Sequence, residues 1–164
     1  ISVSAFLLNR SSALAIYYDF TRRFFEAKKG SFSQEMFHQV YQRFGGVTRS
    51  IQLMLNRLYE TEKHVGSEAQ INEAILHIVN QSSMQYEELI NLLTDNQQSL
   101  MKAIAKDGCV ASPQSDEFIK RYNLPSTSSV KTALDVLIDK DLFYRTPTGY
   151  IIYDHFLSIW LTRQ

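Results

Sequence analysis

Gly45-Gly46-Val47-Thr48-Arg49 brings two glycines, a hydroxyl and a guanidinium together where one helical pattern stops and the next begins. Free N–H groups at a helix start, the positive end of the helix dipole and an arginine together suit an anion. Arg49, with Thr48 and Gly46, is the candidate for that role, ahead of Arg43 and Arg57. The plain alternative is a solvated arginine after a glycine turn.

Other reactive side chains form no set. His38, His64, His77 and His155 make no i, i+4 pair and have no cysteine at ligand spacing, so they read as scattered polar residues and not a metal centre. Cys109, the one cysteine, has no neighbouring base and follows a helix-ending glycine, which fits a small half-buried apolar residue. Asp116-Glu117 complements a helix dipole better than it forms a catalytic pair. No Gly-x-x-x-x-Gly-Lys-Ser/Thr occurs, and no apolar strand ends in paired acids that would hold magnesium. No catalytic residue is assigned, and ATP hydrolysis by this sequence alone is excluded.

These residues are carried by a mainly α chain. Helices are expected over about Leu14–Lys29, closed by Gly30, from Ser33 to Phe44, and from an N-cap at Thr48 through Tyr59. Two more follow near 67–80, capped by Ser67, and 84–93. The opening "ISVSAFLL" reads as a strand. Tyr17, Tyr18, Phe20, Phe24 and Phe25 share one broad helix side, which points to core or interface packing over base stacking. From Asp95 the pattern is three helices, over 95–107, after Ser115, and from Pro125 to near Lys140. A hairpin, "LFYRT" and "YIIYD" around a Pro-Thr-Gly turn, and a last helix complete it. Three helices and a two-strand wing make a winged helix.

With Val130 inward, 100° steps put Ala133, Leu134, Leu137 and Ile138 in the core and Ser128, Thr132, Asp135 and Asp139 outward. A groove reader offers donors to base edges, so two outward aspartates count against one. The residues that would serve a nucleic-acid site are Ser128, Lys131, Thr132 and Arg145. Charge agrees: 17 basic and 17 acidic residues give no net basic excess to hold phosphates. Residues 1–64 carry +4, residues 65–94 carry −4 from four glutamates, and residues 95–164 are neutral. The lone cysteine and the lack of a spanning apolar run fit a cytoplasmic protein with no membrane partner.

"YYDFTRRFFEAKKG", "VYQRFGGVTRSIQLMLNRLYE", "NQQSLMKAIAKDG", "EFIKRYNLPSTSSVKTALDVLIDKDLFYR" and "GYIIYDHFLSIWL" run in order along the chain. Together they resemble the C-terminal region of prokaryotic AAA-related, STAND-like P-loop ATPases. The last phrase is similar to that group's Asp-Pro-Phe-Phe-x-Phe-Trp-Leu ending, with His155 in the proline position. The resemblance implies a lid-like helical domain over 1–64, with 1–13 a strand remnant of a missing core. A helical connector over 65–94 and a winged helix over 95–164 complete the division. It implies ATP as cofactor of the parent protein but not of this chain, a nucleotide-sensing role for Arg49, and the N-terminal ATPase core as partner, with other proteins able to join. The expected function is a regulatory and interaction module of such an ATPase; the alternative is a DNA-binding winged-helix regulator.

Overall fold

The computed structural model describes the backbone from Val3 and side chains from Leu14 to Gln164. The chain divides into two compact units, Ile1–His77 and Ile78–Gln164. The division falls within a continuous helix, thirteen residues beyond the lid boundary expected at 64.

In the first unit α1 spans Val3–Ala27, α2 Gln34–Arg43 and α3 Thr48–Thr61, with α4, Glu68–Gln81, crossing into the second unit. The strand expected over 1–13 is therefore corrected: residues 3–13 continue α1, and residues 1–2 lie outside the described residues. Two alanines and two leucines favour a helix over this stretch, and it holds no glycine or proline to break one. Thr48 is likewise the first helical residue and not the cap, since Val47 holds the extended N-cap position.

The core of this unit is aromatic. Phe37 is fully buried, with ring centroids of Tyr17, Tyr18 and Phe32 at 5.6, 5.4 and 6.3 Å. Aromatic pairs at these distances favour edge-on geometry, and Tyr17 and Phe32 adopt it. Two-residue strands β1, Ser31–Phe32, and β2, His64–Val65, pair in parallel, a feature too short for any period to reveal. Their outer edges are closed locally. Tyr18 donates to the Phe32 carbonyl at 3.1 Å, and the Gln70 amide donates to the His64 carbonyl while accepting from the Gly66 N–H. Gly30 makes the approach: a Cβ there would stand 2.0 Å from the Lys63 carbonyl oxygen.

In the second unit α5 is Ser83–Asn91, α6 Asp95–Asp107, α7 Asp116–Arg121, α8 Thr127–Asp139 and α9 His155–Leu161, with β3, Phe143–Thr146, and β4, Gly149–Ile152, as the wing. Ser115 caps α7 and Gly108 ends α6 at φ 76°, as their positions in the sequence predict, and Ser126, expected as part of the turn, caps α8. α6 packs on α8, α9 and β4 around Leu100, Ile104, Leu134, Leu137 and Phe156. Val110 exchanges two backbone hydrogen bonds with Tyr150, at 3.0 and 2.8 Å, adding a third rung to the wing. Asp154 caps α9 by accepting from the Phe156 and Leu157 N–H groups and also accepts from the Tyr86 hydroxyl at 3.2 Å, while the Trp160 indole donates to Ser83 Oγ at 2.9 Å. These bonds tie α5 and α9 together.

Candidate functional site

At the start of α3, Gly45 and Gly46 take φ of 56° and 76°, which a glycine pair adopts without strain. The N–H groups of Gly45, Gly46 and Val47 donate to the carbonyls of Gln42, Tyr41 and Phe44. The turn thus consumes the donors of Gly46, and its role narrows to shaping the loop. No side chain caps α3, so the N–H groups of its first turn lack a side-chain acceptor. Thr48 and Arg49 are exposed, and Arg49 makes no hydrogen bond or ion pair among the described residues. Arg43 instead donates to Asn72 Oδ1 at 2.6 Å, and Arg57 has its Nε buried without a partner among the described residues. Of the three arginines, Arg43 is engaged, Arg57 is half-buried, and Arg49 is exposed and unpaired among the described residues. An uncapped helix start beside a guanidinium is chemically suited to an anion.

On the winged helix, Ser128, Lys131, Thr132, Asp135 and Asp139 are exposed along α8, as the helical stepping predicts. The hydroxyls are engaged locally: Thr132 donates to the Ser128 carbonyl at 3.0 Å, and Ser128 shares a bond with the Ser126 hydroxyl at 2.9 Å. Arg145 lies on the wing with its guanidinium 5.7 Å from the Tyr150 ring centroid. The α8 stripe therefore carries Lys131 against two carboxylates, and the wing adds one cation.

A third feature lies on the aromatic run of α1, which the sequence assigns to core or interface packing without placing an open groove there. Between α1 and α3 runs a groove of about 460 Å³ whose lining includes Tyr17, Phe20, Phe24, Gln52, Leu55 and Asn56, with no charged residue. Phe20 and Phe24 are 57% and 51% exposed, although Phe25 beside them is buried. The aromatic run is thus split between core and open surface. The signal available was the width of the aromatic side on α1, broader than one neighbour needs.

Cys109 is exposed and not half-buried as expected, with Sγ 3.6 Å from Thr148 Oγ1. Asp107 accepts from the Tyr122 hydroxyl and from Arg121 at 3.1 Å, and Glu117 accepts from Arg121 at 2.6 Å, an exposed surface network. Among the described residues no group of histidine, cysteine and carboxylate side chains could hold a metal, and no helix is long and apolar enough to cross a membrane.

The helix order, the extra strand rung at Val110 and the two-strand wing define the second unit as a winged helix. Comparison with known families agrees: residues 84–163 match the model of a family described as a probable winged helix domain. No curated protein and no solved structure matches the chain. The match covers the winged helix and does not reach the groove or the start of α3.

Proposed function

We propose that the chain is a regulatory and interaction module of an AAA-related, STAND-like ATPase, with the winged helix used for protein contact. Nucleotide state is sensed at the start of α3, where Arg49 and the uncapped N–H groups meet a terminal phosphoryl group supplied by the parent protein's core. Support for the ATPase comes from the ordered family phrases and from Arg49 being exposed and unpaired among the described residues. Protein contact is favoured over DNA reading by one observation: Asp135 and Asp139 occupy the exposed face of α8. Carboxylates there repel phosphates and offer no donors to base edges.

Two measurements test this. Duplex DNA titrated with the chain should bind weakly, with little dependence on salt. Tight, steeply salt-dependent binding would return the DNA regulator to first place. In the longer ATPase chain, Arg49→Ala should weaken ATP binding or slow turnover, and an unchanged enzyme would remove the sensing role.

A further inference from the structure

The groove between α1 and α3 leaves two large aromatic side chains in water, an arrangement that marks an interaction surface. Its α3 wall is a line of donors at helical spacing: Arg49, Gln52 and Asn56, all exposed. Gln52 and Asn56 line the groove and Arg49 continues their row one turn toward the start of α3. A fitting partner is therefore a short helix with apolar ends and acceptors between them.

The chain itself carries such a helix. α5 exposes Met84 at 72% and Leu92, just past its end, at 85%, with Glu87 and Glu88 exposed between them. Neither glutamate has a hydrogen bond or ion pair among the described residues. Eight residues separate Met84 from Leu92, about 12 Å of helix, and seven separate Tyr17 from Phe24 or Gln52 from Tyr59, about 10 Å. The lengths match over two turns. Charge matches at one point, between exposed Arg49 at the end of the donor row and the unpaired Glu87 and Glu88.

We propose that this groove receives the α5 face of a second copy of the chain, giving head-to-tail self-association. Met84 and Leu92 rest on the two ends of the groove, at Tyr17 and Phe24 with Phe20 between them, while Glu87 and Glu88 accept from the donors of α3. The two surfaces differ, so each bound copy leaves one groove and one α5 face open, and association continues beyond a dimer as concentration rises. The proposal does not depend on the ATPase reading, and a copy seated here would occupy Arg49 and compete with an anion at the start of α3.

Sedimentation velocity of the whole chain across a wide concentration range tests it. Average mass should rise with concentration and fall as salt is added. Phe20→Asp closes only the groove and Leu92→Asp only the α5 face; each should weaken association about tenfold or more while helical circular dichroism is retained. An equimolar mixture of the two keeps one intact pairing and should form a dimer that grows no further. The double variant Glu87→Gln, Glu88→Gln, at exposed positions, should lose the salt dependence even if a charged groove variant unfolds. A wild-type chain that stays monomeric, a Leu92→Asp chain that associates like wild type, or a mixture that remains monomeric overturns the proposal. The groove would then belong to another partner or to the same chain.

Discussion

Reversing the charge of the outward face of α8 should convert a poor DNA ligand into a recognisable one. In the wild-type chain Lys131 and Arg145 are the cations placed to meet phosphates beside the two aspartates. Two contacts give a salt slope of about −1.8, at about −0.9 per phosphate, so a roughly fourfold rise in salt costs about 12-fold in affinity. Repulsion by Asp135 and Asp139 makes even this an upper limit. With Asp135→Lys and Asp139→Lys, up to four cations face the duplex, the slope approaches about −3.6, and the same rise in salt costs about 150-fold. The substitutions keep the fold, because both positions are exposed and the one new cost is a like-charge i, i+4 pair of Lys131 with residue 135, roughly 0.5–1 kcal/mol. Fluorescence anisotropy of a labelled duplex at several salt concentrations reads both slopes. A wild-type slope already near −3.6 (the value worked above for four contacts), or a double variant with no gain in affinity, would refute the claim that the aspartates exclude DNA.

Gly30→Ala should destabilise the first unit by about 3 kcal/mol or more, because the new Cβ would meet a backbone oxygen that has no room to retreat. Urea unfolding measures this, and a loss below about 1 kcal/mol would mean that the β1–β2 junction yields easily. A pH effect is expected at His155, whose imidazole is held below its ordinary value of 6.5 by burial, against the opposing pull of Asp154 and a hydrogen bond with the Tyr153 backbone. A depressed histidine binds fewer protons folded than unfolded, so its contribution is complete above 6.5 and is lost as pH falls through the lower folded value. His155→Gln should flatten this part of the stability profile, measured as urea midpoints on both sides of that range. An equally steep profile in the variant would assign the effect to other groups.

Local chemistry made much of the winged helix readable. Ser115 caps, Ser126 lies in the turn into α8, Gly108 terminates, and the alternation around Pro147-Thr148-Gly149 turns a hairpin, each acting within a few residues of itself. Asp135 and Asp139 were placed outward by helical stepping alone. The same reasoning failed at the beginning of the chain, where an apolar stretch of about eight residues has no period to separate a buried strand from a helix. It also missed Val110, a single residue whose strand character comes from Tyr150, forty positions away.

The candidate site divides along the same line. That Arg49 follows a glycine pair, and that the chain lacks a phosphate-binding loop, are properties of the sequence alone. That Arg49, of the three arginines, is open to solvent and unpaired among the described residues was decided in three dimensions: Asn72 takes the Arg43 guanidinium, and Arg57 is half-buried. The open groove was likewise decided in three dimensions. Periodicity places Phe20, Phe24 and Phe25 on one side of α1, but only the positions of β1 and α3 determine that Phe25 is covered, with ring centroids 5.0 Å from Phe32 and 5.4 Å from Tyr59, while its two neighbours face water. Helical spacing specifies direction from one axis, and burial depends on what the rest of the chain brings to that side.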